Sequence, residues 1–449
     1  MIYLDNNSTT IMPKATVAAF TDYCNRGNPS SSYPSANKCK DVMAGFRDFI
    51  AANCGFEVDT NDIDYEDIVA NVNNGTLNIN TMSPMLYKII FTSCGSESNA
   101  MIIQGVIRSY RKIAGDTPHI ISSAIEHKSV LDCLKSYAED GEIQLTLIPP
   151  MINGTINPAD VEANILPNTC LITIMHANNE TGAINDIATI AKIAHKFNVP
   201  FHSDSVQTFG KFKMDLPKLD IDAITVSFHK YHGPPGIGAL IIRSKFLYGY
   251  QIPPLIFGSQ NYHLRGGTEN MPGLAAAYAG LAYTWEKRSD KNARMLQLKI
   301  RLKKNLETRY KIIPYSQHYK NFTAQSRPPA TTKPYIVMFH EADTKYTPNT
   351  MLISVVASPA MEVCNSKIKK ALEEAGIIVS IGSACNTKSS KASHVLFAMQ
   401  ADKWIRRGTI RVSLGDETTE ADIDKFVGKF SEIVAATVVP CTKGKIDNK

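Results

Sequence analysis

The sequence predicts an α/β protein with a large, mostly parallel seven-stranded sheet and a second, smaller α+β domain. Between about residues 88 and 245, short apolar runs alternate with amphipathic stretches. Strands that alternate with helices indicate a parallel sheet covered on both faces. After about residue 270 the pattern changes to two long helical stretches and then a mixed unit. A chain of 449 residues is long enough for two domains and a large core.

Seven apolar runs are predicted as strands of the large sheet, and three amphipathic stretches as helices that cover it. The strands are Lys88–Thr92, His119–Ser123, Ile143–Ile148, Cys170–Met175, Pro200–His202, Ala223–Val226 and Gly238–Ile242. The helices are Glu97–Ile113, Lys128–Tyr137 and Ile187–Phe197. In such sheets ligands bind beyond the carboxyl ends of the strands.

The later part of the chain predicts the smaller domain. Its helices are expected at about 272–287, 290–310, 364–375 and 419–436, and its strands near 335–340, 351–357, 377–380 and 409–414. We therefore assign 12–265 to the large domain, with an insert at about 55–87. The smaller domain comprises 1–11 and 266–440, and 441–449 form a polar tail.

Composition narrows the class of protein. The chain is 44% hydrophobic and 20% charged, and its net charge of +6 comes without a basic block. Nine scattered cysteines fit free thiols in a reducing compartment. No apolar run reaches membrane-spanning length, and the start lacks a signal or transit pattern. We expect a cytoplasmic protein with neither a nucleic-acid nor a membrane partner, and without a metal site.

Polar residues stand at the ends of the predicted strands. Gly95 and Ser96 open a helix directly after a strand, and a helix start offers free N–H groups and a positive dipole end to a phosphate. The alternative is a simple N-cap at Ser96. His127 follows another strand, where it can stack on a flat cofactor and move protons. The alternative is a solvated loop histidine.

Asp204 and Lys230 follow two further strands. A carboxylate beside a pyridine nitrogen keeps that nitrogen protonated, and a lysine after Ser-Phe-His at a strand end is typical of a Schiff-base site. An aspartate and then a lysine on successive strand ends is the arrangement that pyridoxal 5'-phosphate (PLP) needs. The alternatives are a helix cap for Asp204 and a surface charge for Lys230.

Two more candidates lie in the smaller domain. Arg411 is on a predicted strand, and its guanidinium suits a bidentate grip on an amino-acid carboxylate, with a surface ion pair as the alternative. Cys385 lies among small and polar residues with lysines nearby, which favour the thiolate, with a spare surface cysteine as the alternative. A chemistry that needs both a Schiff-base lysine and a nucleophilic cysteine is the removal of sulfur from cysteine.

Together these motifs resemble the NifS/IscS-type cysteine desulfurases, class V aminotransferase-like enzymes of fold-type I that use PLP. The resemblance runs from Tyr3–Thr10 to the last predicted helix. It implies an enzyme that converts L-cysteine to L-alanine, keeps the sulfur as a persulfide on Cys385, and works as a homodimer. The alternatives are a selenocysteine lyase, another PLP lyase or transaminase of the same fold, and a NifS-like partner-binding protein with little activity.

The resemblance also implies a role for each residue that matches a family motif. Lys230 is expected to form the Schiff base, Asp204 to pair with the pyridine nitrogen, and His127 to stack on the ring. The other expected roles are phenolic-oxygen contact for Asn179 and Gln207, phosphate binding for Gly95, Ser96, Ser227 and His229, phosphate contact across the dimer for Thr268, and substrate-carboxylate binding for Arg411 with Asn179.

The chain also departs from the family pattern. Tyr33 stands where the family usually has histidine, and Ser96 where it usually has threonine. The insert at 55–87 carries six acidic residues between Glu57 and Asp67, and we expect a short capped helix from about Asp59. It is either a surface elaboration or a docking site. The chain end does not resemble the family tail that docks an iron–sulfur scaffold, so the sulfur acceptor stays open between such a scaffold and a tRNA-thiolation protein.

Overall fold

The computed structural model describes residues 1–321, 333–381 and 393–440. Its strands are β1 Ile2–Tyr3, β2 Glu57–Val58, β3 Leu86–Thr92, β4 His119–Ser123, β5 Gln144–Ile148, β6 Thr169–Thr173, β7 Phe201–Asp204, β8 Ala223–Ser227, β9 Gly238–Arg243, β10 Ile312–Pro314, β11 Tyr335–Met338, β12 Thr350–Val356, β13 Met361–Glu362, β14 Ile377–Ile378, β15 Thr409–Ser413 and β16 Val439–Pro440.

Its helices are α1 Lys14–Tyr23, α2 Pro34–Cys54, α3 Tyr65–Asn73, α4 Gly95–Ala114, α5 Lys128–Glu139, α6 Pro158–Ala163, α7 Ile187–Lys196, α8 Leu216–Leu219, α9 Ser244–Gly249, α10 Met271–Trp285, α11 Arg288–Glu307, α12 Tyr315–Asn321, α13 Asn365–Glu374, α14 His394–Ala398, α15 Lys403–Gly408 and α16 Glu420–Thr437. Among the residues that the structure describes, no helix is both long enough and apolar enough to cross a lipid bilayer.

The large sheet has the strand order β2-β3-β9-β8-β7-β6-β4-β5. Only β9 runs antiparallel to its neighbours, so the predicted mostly parallel sheet is confirmed. The seven predicted strands are all present. An eighth, β2, adds a two-residue edge from the insert, and the sequence did not predict it because two residues carry no periodicity.

Helices cover both faces of this sheet, because successive residues of each strand point to opposite sides. Ile89 and Phe91 of β3 pack into one apolar cluster, and Ile90 between them packs into another. The first cluster includes side chains of α2, α7 and α10, and the second includes side chains of α4 and α5. This arrangement leaves the carboxyl ends of the parallel strands as the open edge.

The smaller unit is built on the sheet β10-β11-β12-β15. Its apolar cluster includes side chains of α11, α13 and α16, together with Ile2 and Leu4 from the chain start. Strand β1 pairs in parallel with β14, so the first residues lie in this unit. The predicted domain boundary stays a prediction, since α10 packs Met271 and Leu274 into the core beneath the large sheet.

The insert contains a helix, although that helix starts later than predicted. Helix α3 begins at Tyr65 and is capped by Asp64, whose side chain accepts the backbone N–H of Glu66. Asp59 is instead buried at 2% exposure and accepts hydrogen bonds from Ser244 (2.6 Å) and Tyr248 (2.8 Å). Within the acidic run, Asp59 is therefore a buried residue that anchors the insert, and the carboxylates that follow it are exposed.

Candidate active site

The predicted site residues lie at the carboxyl ends of neighbouring strands. Asp204 is the last residue of β7, and Ser227 is the last residue of β8. Lys230 closes the 3₁₀ turn that follows β8, and His127 caps the helix after β4. Because β4, β6, β7 and β8 are parallel neighbours, these ends meet along one edge of the sheet.

Lys230 is enclosed in the site and is not a surface charge. Its Nζ donates to the carbonyl of Asn7 (2.7 Å) and to that of Ser8 (2.6 Å). Burial lowers the pKa of Lys230 to about 8, and the cation of Arg411 lowers it further in the same direction. A lysine with such a pKa is still mostly an ammonium near pH 7, but its neutral, nucleophilic fraction is far larger than that of an ordinary lysine.

Asp204 is held in place by neutral donors. It is 5% exposed, and its Oδ2 accepts from Asn99 Nδ2 at 3.0 Å while its Oδ1 accepts from the backbone N–H of Val206 at 3.0 Å. It caps none of the helices in the described ranges. The charge of Asp204 acts on the pKa values of both Lys230 and His127, so the three side chains face one site.

His127 is the N-cap of α5 and its ring is open to the cleft. The backbone N–H of Ser129 donates to its Nδ1 at 3.2 Å, which leaves the proton of a neutral ring on Nε2. Burial lowers the pKa of His127, Lys230 and His394 lower it further, and Asp204 opposes them. The result is a neutral flat ring with one N–H directed away from the helix.

The start of α4 forms a cradle for an anion. The N-cap residue is Cys94, which makes no side-chain hydrogen bond to the first turn, so the predicted alternative of an N-cap at Ser96 is wrong. A Cβ on Gly95 would lie 3.1 Å from Val206 Cγ2 and 3.4 Å from Ser227 Cβ. Glycine therefore lets the helix start approach the end of β8 closely. The free N–H groups and the helix dipole suit a phosphate there.

The N-terminal segment Asp5–Thr10 crosses the site, although no role was predicted for it from the sequence. The carbonyl of Asn7 accepts from Lys230 and also from Gln207 Nε2 at 3.2 Å. Thr10 donates its hydroxyl to the carbonyl of His229 at 2.9 Å. These contacts join residues far apart in the chain, so no local pattern announces them.

Arg411 lies on β15 and reaches the same segment. It is 3% exposed, and its Nη2 donates to Asp5 Oδ1 (2.7 Å) and Ser8 Oγ (2.8 Å) while its Nη1 donates to the carbonyl of Asn179 (2.7 Å). The pair with Asp5 is thus buried, unlike the surface ion pair considered from sequence. Arg411 Nε is buried and has no acceptor among the described residues. An incoming carboxylate can satisfy it.

The remaining predicted residues are placed as follows. Gln207 is buried beside Asn7, and Asn179 is half-buried next to Arg411. Burial, with help from Lys230, lowers the pKa of His229 to about 4, so its ring is neutral. Thr268 is exposed on the loop after β9 and α9. Its contact with a partner subunit stays a prediction.

Cys385 lies outside the described residues, but the residues on either side of its segment are described. On the N-terminal side, Ser380 and Arg411 exchange backbone hydrogen bonds. On the C-terminal side, Ser393 Oγ donates to Glu180 Oε2 (2.6 Å), and His394 Nε2 lies 2.9 Å from the carbonyl of Glu126. Both ends of this segment therefore lie beside the site.

Glu126, next to His127, is a carboxyl group with a shifted pKa for which no role was predicted from the sequence. Complete burial raises its pKa to about 8, although hydrogen bonds from Ser123 Oγ and the backbone N–H of Met175 act in the opposite direction. The carboxyl group is therefore mostly neutral near pH 7. Its Oε1 accepts hydrogen bonds from Ser123 at the end of β4 and from Met175 just after β6. These two bonds hold in place the backbone that carries His127.

Comparison with known proteins gives the same assignment as the geometry. Residues 35–426 match the family described as aminotransferase class-V. A cysteine desulfurase IscS of Dictyoglomus turgidum is 30% identical in an alignment of 436 positions that covers 96% of this chain and 94% of that protein. A selenocysteine lyase of Bos taurus is 27% identical in an alignment of 467 positions, gaps included, that covers 97% of this chain and 93% of that protein. A solved NifS-like protein superposes with a TM-score of 0.75 and 28% identity, over 97% of this chain and 99% of its own.

The chain belongs to the class-V aminotransferases and, within them, to the cysteine desulfurases. Enzymes of this family depend on PLP. The side chains present fit that cofactor: Asp204 for the pyridine nitrogen, Lys230 for the aldehyde, and the start of α4 for the phosphate. Gly95 brings the start of α4 close to Ser227 at the end of β8, which places the free N–H groups of the helix beside the other residues of the site.

Proposed function

We propose that the protein converts L-cysteine to L-alanine and carries the sulfur as a persulfide on Cys385 to an acceptor. The single observation that carries this proposal is the meeting of Lys230, Asp204 and Arg411 at one edge of the sheet. It supports an amino-acid substrate with a free carboxylate. The position of Ser380 and Ser393 beside this edge supports a role for the cysteine between them.

Bound PLP supplies a sink for the electron pair left when the α-proton of the substrate is removed. Arg411 would grip the substrate carboxylate, since its buried Nε has no acceptor among the described residues. Lys230 would hold the cofactor and then, in its neutral form, accept the α-proton at Nζ. Asp204 would keep the proton on the pyridine nitrogen, and His127 would lie against the ring.

Cys385 completes the reaction by accepting sulfur. Its thiolate attacks the substrate sulfur, so a new S–S bond forms while the Cβ–S bond breaks. The electron pair of the broken bond stays on the carbon, which then gains a proton to become the methyl group of alanine. No external oxidant is needed, because the sulfur moves from carbon to thiolate without net electron loss.

Two finer parts of the proposal concern the oligomeric state of the protein and the identity of the protein that accepts the sulfur. We expect a cytoplasmic homodimer in which the exposed Thr268 reaches the phosphate of the partner's site. The acceptor is an iron–sulfur scaffold or a tRNA-thiolation protein. Size-exclusion chromatography with light scattering tests the dimer, and a Thr268→Ala variant with weaker PLP binding at an unchanged mass would support the shared site.

The purified protein with L-cysteine and a small-thiol reductant tests the function directly. We expect alanine and sulfide in equal amounts from the wild type and neither from Cys385→Ser. A second candidate, selenocysteine lyase, is favoured by the bovine relative and is tested in the same assay with L-selenocysteine. PLP-loaded protein that releases alanine only from selenocysteine would replace the desulfurase proposal by the second candidate.

A further inference from the structure

A cavity between the two units adjoins the site, and four of its lining residues are lysines or arginines. Lys211, Lys230, Arg288 and Lys291 line it, and Asp416 is the acidic residue among them. Lys291 pairs with Asp416 at 3.3 Å, and Arg288 donates to the carbonyl of Phe212 at 3.1 Å. These two cations are therefore already occupied.

Lys211 has a different kind of partner. In the described part of the chain, the acceptor for Lys211 Nζ is Gln207 Oε1, at 3.4 Å. No acidic side chain offsets its burial, which lowers the pKa of Lys211 to about 7, and the cations of Lys230 and Arg411 act in the same direction. Lys211 is half-buried, and a lysine whose acceptor among the described residues is one amide oxygen requires an explanation beyond surface charge.

The contact with Lys211 fixes which end of the Gln207 amide faces the site. An amide offers a carbonyl oxygen at one end and an NH₂ group at the other, whereas a lysine can only donate when charged. The Oε1 end therefore faces Lys211. The Nε2 end then points to the Asn7 carbonyl, 3.2 Å away, which also accepts from Lys230 Nζ.

We propose that Lys211 is a positioning residue that holds the Gln207 amide with its NH₂ group toward the cofactor. This inference rests on the proposed function and on the role that the family resemblance implies for Gln207, which is contact with the phenolic oxygen of PLP. Lys211 acts through Gln207 and touches neither substrate nor cofactor. Without Lys211, the Gln207 amide can rotate so that its carbonyl oxygen, and not its NH₂ group, faces the phenolic oxygen of the cofactor. Two acceptors would then face each other.

Three variants of the full-length protein test this inference. Lys211→Met removes the donor at similar length, Lys211→Arg keeps a donor, and Gln207→Ala removes the amide. Lys213→Met is the matched control, because Lys213 is exposed two residues further on. The measurements are the dissociation constant of PLP for the cofactor-free protein and the pH dependence of the visible absorption of bound PLP.

We expect Lys211→Met to weaken PLP binding about fivefold, the effect of one ordinary hydrogen bond, and to shift the midpoint of the absorption change with pH. Lys211→Arg should bind PLP within about twofold of the wild type, and Lys213→Met should match it. In a Gln207→Ala background, Lys211→Met should have no further effect, because its target is gone.

Each contrary result is informative. If Gln207→Ala changes both measurements and Lys211→Met changes neither, Lys211 does not position Gln207, although the cofactor contact of Gln207 stands. If Gln207→Ala changes neither, the cofactor contact and the inference both fall. Additive effects in the double variant would mean that Lys211 acts independently. Should Lys211→Met fail to fold, Lys211→Gln replaces it, because a glutamine can both donate and accept and no longer fixes the amide.

Discussion

Ser380 and Arg411 exchange two backbone hydrogen bonds, of 3.1 and 2.7 Å. The strand that carries Arg411, the residue proposed to bind the substrate carboxylate, thus also ties down the chain shortly before Cys385. At the other side of that segment, Ser393 is tied to Glu180, the neighbour of Asn179. Hydrogen bonds therefore connect the proposed carboxylate site to both sides of the segment that contains the proposed sulfur-accepting cysteine.

Cys385→Ser should separate cofactor chemistry from sulfur transfer. We expect the variant to bind PLP and to change its absorption when L-cysteine is added, yet to release no sulfide, because a hydroxyl cannot take up the sulfur. Cys364→Ser is the control, since Cys364 is half-exposed and lies outside the site. Loss of sulfide release in Cys364→Ser, with activity kept in Cys385→Ser, would mean that the wrong thiol has been assigned.

Lys230→Ala should abolish turnover, because the attachment point of the cofactor and the group that accepts the α-proton are both removed. Borohydride reduction of the wild type followed by peptide mapping should place the pyridoxyl group on Lys230. Lys211→Met serves as the control for this label, since Lys211 lines the same cavity. A pyridoxyl group found on any other lysine would refute the assignment.

Asp204→Asn should keep the fold and lower the rate at least about a hundredfold, by analogy with the loss of one preorganised electrostatic partner. The one amide oxygen of the asparagine can still accept from the backbone N–H of Val206, but its NH₂ group replaces the acceptor that faces Asn99, and it cannot hold a proton on the pyridine nitrogen. Steady-state kinetics with PLP at saturation measure the loss. A near-normal kcat would show that Asp204 only shapes the turn after β7.

Asp59→Ala should destabilise the protein by about 3–5 kcal/mol, because it leaves the buried ammonium of Lys88 without its carboxylate. The two groups lie 3.4 Å apart and are both almost fully buried. Asp62→Ala, at an exposed position of the same insert, should change stability by less than about 0.5 kcal/mol. Urea unfolding of the variants distinguishes these outcomes, and equal losses would contradict the anchoring role.

The contrast between the buried Asp59 and the exposed carboxylates determines which variant can test the insert as a docking site. Deletion of 59–80 would remove the Asp59 anchor and confuse folding with binding. Neutralising the exposed Asp62, Asp64, Glu66 and Asp67 together leaves the anchor in place. If sulfur transfer to the natural acceptor is unchanged in that variant while alanine formation is normal, the insert is a surface elaboration.

His195 should stabilise the protein more at low than at high pH. Hydrogen bonds and charges from Asp222 and Asp220 raise the pKa of His195 to about 9 from an ordinary 6.5, against the effect of burial. The stabilisation is complete below about pH 6.5 and is lost as the pH rises through about 9.

His195→Gln should therefore cost on the order of 1 kcal/mol at about pH 6 and much less at about pH 10, after allowance for solvent screening. Urea midpoints at the two pH values measure the difference. His263→Gln, at a half-exposed histidine of the loop that contacts the insert, is the control. A cost for His195→Gln that does not change with pH would refute the charged pairing.

The sequence predicted seven of the eight strands of the large sheet because short apolar runs alternate with amphipathic stretches in this part of the chain. It predicted Lys230, Asp204 and His127 because they follow such runs directly, where parallel strands place their ligands. What it missed are contacts of another kind. The carbonyl of Asn7 accepts a hydrogen bond from Lys230 and belongs to a short polar segment. Every residue has a backbone carbonyl, so the residue type does not reveal which carbonyl acts as an acceptor.

The sequence also did not indicate which single charged residues are buried. Asp59 stands in an acidic run and was expected to open an exposed helix, yet it accepts hydrogen bonds from Ser244 and Tyr248, 185 and 189 residues later in the chain. Glu126 has the same character: its neutrality near pH 7 follows from complete enclosure. Only the three-dimensional packing distinguishes such carboxylates from their exposed neighbours.

The contact between Asp5 and Arg411 spans 406 positions of the chain. A ribosome has therefore made nearly the whole polypeptide before the first residues find the strand that they complete. Pairings of such long range also form late in folding, since the intervening chain must be ordered first. Competence to bind substrate thus arises only in the finished molecule, and a prematurely terminated product has no working site.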